Sequence, residues 1–114
     1  MSTDDLDEKA LLLVRLEHFH AGSMVITVTG EVDSANSDDL RRQIAELVSD
    51  QAARTVALDL GELTFLGSAG IRALIDCHDL AASRGGRLEI SRAHEHVREV
   101  LTICGLTDLF HLPA

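Results

Sequence analysis

Residues 55–71 read TVALDLGELTFLGSAGI. The first six, TVALDL, make an apolar, strand-length segment of the kind a sheet buries. Gly61 opens a loop that runs to Gly67 and carries Leu63, Phe65 and Leu66. From Ser68 the apolar residues return at helical spacing, so Ser68–Arg84 reads as a helix stopped by Gly85-Gly86. A strand that passes through a short loop into a helix is one half of a parallel crossover.

The rest of the chain extends this unit in both directions. Residues 11–18 (LLLVRLEH) and 24–29 (MVITVT) are strand-like, and Ala21-Gly22-Ser23 between them supplies the turn of an antiparallel hairpin. Gly30-Glu31-Val32-Asp33 leads to Asn36 or Ser37 as a helix cap, with Asp38 and Asp39 suited to the positive first turn. Leu40, Ile44, Leu47 and Val48 then form one stripe. Beyond Gly86, residues 87–91 (RLEIS) read as a strand. His94–Cys104 reads as a helix with Val97, Val100, Leu101 and Cys104 on one face and Gly105 as its stop. Leu106, Leu109, Phe110 and Leu112 close the end, with room for a short final strand. The order β-β-α-β-α-β-α predicts an α/β fold. Its sheet is mostly parallel, with four to five strands, an antiparallel N-terminal hairpin and three to four helices. One domain over residues 11–114 follows an acidic tail, residues 1–10, that holds Asp4, Asp5, Asp7 and Glu8.

Composition limits the function. A length of 114 residues suits a single domain, and 46% apolar with 25% charged residues is a globular balance. The longest apolar run is far short of the roughly 20 residues that span a bilayer, and no signal-like start is evident. A soluble cytoplasmic domain without membrane insertion is expected. Ten basic against nineteen acidic residues give a net charge of −9, the wrong sign for a nucleic-acid partner and a suitable one for a basic protein partner. Without Trp or Tyr there is no stacking platform for bases, and no cofactor is called for.

The motifs narrow it further. Ser68 lies among small residues at a loop-to-helix transition, which leaves two roles open: a helix cap, or a hydroxyl presented to a partner. A phosphate there would face free amides at a positive helix end. On a helical wheel Ile71, Leu74, Ile75, His78 and Ala82 mark the buried side, while Arg72, Asp76, Asp79 and Ser83 mark the wet side. Beside Ser68 runs a mild apolar rim of Ala69, Ala73 and Leu80, which together with Gly67 and Arg72 outlines a docking surface. The spacing G-x-S-x-G is absent, since Leu66 stands two before Ser68, so a hydrolase is not indicated. His18-x-His20 and His94-x-His96 lack carboxylates at metal-motif spacing. Cys77 and Cys104 fall on or beside apolar helix faces and read as buried, inert thiols, with a reversible disulfide between them as the lesser alternative.

Three segments in order resemble the STAS domains: Gly30-Glu31-Val32-Asp33, then Leu58-Asp59-Leu60 with Phe65-Leu66-Gly67-Ser68-Ala69-Gly70-Ile71, then Val97, Leu101 and Cys104-Gly105-Leu106. The likeness is strongest to the stand-alone bacterial anti-sigma-factor antagonists. It implies a non-enzymatic α/β regulator that binds a GHKL-type serine kinase, itself the anti-sigma factor, and so frees a sigma factor. It further implies that Ser68 accepts phosphate from that kinase, that a PP2C-type phosphatase removes it, and that Asp33 belongs to the docking surface. The family usually carries Asp where Gly67 stands and Ser or Thr where Ala69 stands. A STAS accessory subunit of a lipid-transport ABC system, or of a stress-signalling complex, is the alternative.

Overall fold

The computed structural model describes residues 11–51 and 53–113, so the expected acidic tail lies outside the described residues. Strand β1 (Leu12–His20) pairs antiparallel with β2 (Ser23–Val32), forming the expected hairpin. Helix α1 (Ser37–Gln51) crosses to β3 (Thr55–Leu60), which pairs parallel with residues 23–27 of β2. A short strand β4 (Leu63–Leu66) leads into α2 (Ser68–Ser83). Strand β5 (Arg87–Ala93) then pairs parallel with β3, and α3 (Glu95–Ile103) follows. The sheet runs β1-β2-β3-β5, with β4 beside the far half of β2.

Strand β4 corrects the loop expected over residues 61–67. β2 has ten residues and β3 only six, so β3 leaves Gly30–Val32 without a neighbour on that edge. β4 fills the gap, with Glu31 opposite Phe65 and Val32 opposite Leu66. Unpaired backbone groups at a half-buried edge are costly, and four residues suffice to satisfy them.

Alternation puts Met24, Ile26 and Val28 of β2 on one face. Val56 and Leu58 of β3 stand beside Met24 and Ile26, and Leu88 and Ile90 of β5 extend the same rows. Leu40, Ile44 and Val48 of α1 and Leu74 of α2 join them in a single core. Arg41 of α1 ties the two helices through Asp76 of α2, Nε to Oδ2 at 3.1 Å.

The inward face of α2 differs from the wheel. Its buried residues are Gly70, Ala73, Leu74, Cys77 and Ala81, while Ala82 is exposed and Ile71 and Ile75 are only partly covered. The small residues set this phase. A Cβ on Gly70 would lie 2.6 Å from Leu66 Cδ1 and 2.7 Å from Val32 Cγ1, so the first turn presses directly on the ends of β2 and β4. The wheel weighted the larger isoleucines, which flank the contact line. No final strand forms among the described residues: Phe110 is buried, but its segment makes a single backbone bond to β5, its carbonyl accepting from the Ile90 amide at 2.8 Å.

The cysteines separate. Cys77 is buried, and burial pushes its thiol up from 9.0 to about 11. Cys104 is exposed, because α3 ends at Ile103 and the chain swings away at Gly105, where φ is +72°. The expectation of two buried thiols therefore holds only for Cys77. A thiol reagent should label the native protein rapidly at Cys104 and at Cys77 only after unfolding. Rapid labelling of both would contradict this packing. The folded state keeps the Cys77 proton between 9.0 and about 11 while the unfolded chain loses it, so stability should fall as pH rises through that window.

Candidate functional site

The ends of β2 and β4 and the start of α2 meet at one place. The Gly67 amide donates to the Val32 carbonyl at 2.9 Å, which sets Asp33 and Ser68, the next residue on each side, near one another. Asn36, buried to 2% exposure, holds the turn between β2 and α1. Its Oδ1 accepts from the Asp33 amide at 3.0 Å, and its Nδ2 donates to the Glu31 carbonyl at 2.9 Å. Asp33 Oδ1 in turn accepts from the Ala35 amide, an Asx turn that fixes the carboxylate at the surface.

Ser68 is exposed and is the first residue of α2, not its cap. The cap position belongs to Gly67, and among the described residues no side-chain cap bond reaches the free amides there. Of the two roles left open by sequence, the cap is therefore not the one Ser68 fills, and its hydroxyl stands exposed beside a positive helix end. Gly67 has φ −84° and ψ 179°, a conformation any residue adopts, and a Cβ there would meet the Phe65 ring at 3.4 Å. Gly67→Asp should therefore cap the helix and raise stability by about 0.5–1 kcal/mol in urea unfolding. A loss of stability would mean that this turn does not tolerate a side chain.

The other expected contact residues divide. Ala69 is half-buried and Arg72 exposed, both within a turn of Ser68. Ala73 is fully buried and cannot meet a partner, a correction that follows from the close approach of α2 to the sheet. Leu80 lies twelve residues along α2 from Ser68, roughly 18 Å at the helical rise, and is not part of the same patch. The structure also brings together two rings that no sequence pattern joins, Phe65 and His96. Phe65 is 43% exposed, and its ring stacks on His96 of α3 with centroids 6.4 Å apart and planes 20° apart. His94 caps α3, its Nδ1 accepting from the His96 amide at 3.2 Å. In the sequence Phe65 is a large aromatic in an expected loop and part of the motif that resembles the STAS domains, and neither signal points to His96.

A family profile described as the STAS domain matches residues 15–114. The chain belongs to the STAS-domain family. Among curated relatives of this STAS domain is BtrV of Bordetella bronchiseptica, described as a candidate anti-sigma factor antagonist. It is 35% identical over 89 residues, which span 78% of this chain and 76% of BtrV. The anti-sigma F factor antagonist of Paenibacillus polymyxa is 27% identical over 83% of this chain and 80% of its own. The crystal structure of an anti-sigma factor antagonist from Mycobacterium paratuberculosis superposes with a TM-score of 0.74 at 26% identity, covering 92% of this chain and 86% of that one. The five-stranded mixed sheet with its antiparallel hairpin and three helices is the fold of this family. No helix among the described residues is long and apolar enough to cross a membrane.

Proposed function

We propose that this STAS domain is an anti-sigma factor antagonist whose Ser68 end docks on a GHKL-type serine kinase that is itself the anti-sigma factor. Docking sequesters the kinase and frees a sigma factor, which places the protein in the cytoplasm. The docked kinase phosphorylates Ser68 and thereby ends its own sequestration, and a PP2C-type phosphatase restores the binding form. The domain acts by binding and carries out no chemistry of its own.

The observation that supports this most is the exposed Ser68 at the first position of α2, with no side-chain cap bond to compete for it. A kinase can bring its nucleotide to such a group without unfolding the substrate. The names of the relatives agree with the reading. The test is a pull-down with the immobilised domain against the purified GHKL kinases encoded by the same genome. At least one should be retained by wild type; retention of none contradicts the proposal.

A further inference from the structure

Phe65 is one of three phenylalanines in the chain, and it faces away from the core. Across the β2–β4 ladder Val32 and Leu66 are buried, whereas their neighbours Glu31 and Phe65 are exposed. The ring nonetheless has neighbours on its own surface. It stacks on His96, and Gly67 runs beneath it. An exposed aromatic already packed against a second ring has less freedom to lose on binding, which suits an interface anchor.

Carboxylates of this chain fall into paired and unpaired sets, and those around the Phe65–His96 pair belong to the unpaired set. On α1 and α2, Asp38 and Asp76 pair with Arg41, and Asp39 and Glu46 pair with Arg42. On the sheet, Asp59 pairs with Arg92 and Glu89 with Arg87. Glu31 beside Phe65, Glu95 beside His96, and Asp33 beside Ser68 make no ion pair with any described residue. Uncompensated negative charge therefore rims the exposed aromatic. Such a rim repels nucleic acid and anionic lipid and favours a basic protein surface.

We infer that the Phe65–His96 pair is the apolar anchor of the docking surface, seating in a shallow apolar pocket on the kinase rimmed by lysine or arginine. The inference rests on the docking reading above and names the part of the surface that carries its affinity. Phe65 supplies buried area, His96 holds the ring, and the carboxylates speed encounter.

The test is titration calorimetry and stopped-flow association with the kinase that wild type retains. Phe65→Ala should bind about thirtyfold more weakly, and His96→Ala several-fold more weakly. Arg84→Ala, at the opposite end of α2, should bind as wild type does. Glu31→Gln and Glu95→Gln should slow association at low salt, with the difference fading at high salt. Far-UV circular dichroism checks that each variant is folded; should Phe65→Ala not fold, His96→Ala decides. A folded Phe65→Ala or His96→Ala protein with wild-type affinity overturns the anchor while leaving the docking reading in place. Retention of wild type by no kinase overturns the docking reading and the anchor with it.

Discussion

Replacing Ser68 with aspartate should leave the domain folded and reduce its affinity for the kinase by about a hundredfold or more. The two halves of this expectation have separate causes. A carboxylate at the first position of α2 faces free amides and the positive end of the helix, so it is stabilised rather than strained. The cost arises in the complex. On the proposed reading a serine kinase brings the γ-phosphate of its nucleotide to the Ser68 oxygen, so any anion placed there would meet the nucleotide phosphates at short range. Phosphoserine, with about −1.5 to −2 charges, should be excluded more strongly than aspartate. Ser68→Ala removes a hydroxyl that makes no cap bond, so it should bind as wild type does and resist phosphorylation. Tight binding by Ser68→Asp would show that this end of the domain is not the contact.

Leu74→Ala should cost about 3–5 kcal/mol, the upper part of the range for large-to-small core changes. Leu74 is fully buried, and its neighbours along the contact line, Gly70, Ala73 and Cys77, are small. One turn earlier the helix already presses on the sheet, with Gly70 against Val32 and Leu66. A cavity left by Leu74 cannot close by moving the helix inward, and the cost depends on how far a site can collapse. For a domain of this length the melting temperature should fall by more than about 10 °C. A loss below about 1 kcal/mol in urea unfolding would place Leu74 outside the core.

The order of strands and helices was legible because each long element keeps one period. Met24, Ile26 and Val28 alternate, and Leu40, Ile44 and Val48 recur at helical spacing. β4 was not legible, since four residues show too few repeats to separate a strand from a loop, and its pairing depends on where β3 stops. The phase of α2 was displaced because glycine and alanine, which permit the closest approach, carry the least hydrophobic weight. Ala73 was accordingly placed on the wrong side. Ser68 stood out through its position before a helical run. The Phe65–His96 contact did not, because its two rings come from positions thirty-one residues apart and no local pattern joins them.

The central claim is that phosphate on Ser68 is the switch. The direct measurement is to incubate the domain with the retained kinase and ATP, locate the phosphate by mass spectrometry, and titrate the modified domain back against fresh kinase. The account predicts one phosphate, on Ser68, none on Ser68→Ala, and a modified domain at least a hundredfold weaker in binding, on the order of 3 kcal/mol. Phosphate on another residue, or a Ser68-phosphorylated domain that binds as tightly as the unmodified one, would contradict it.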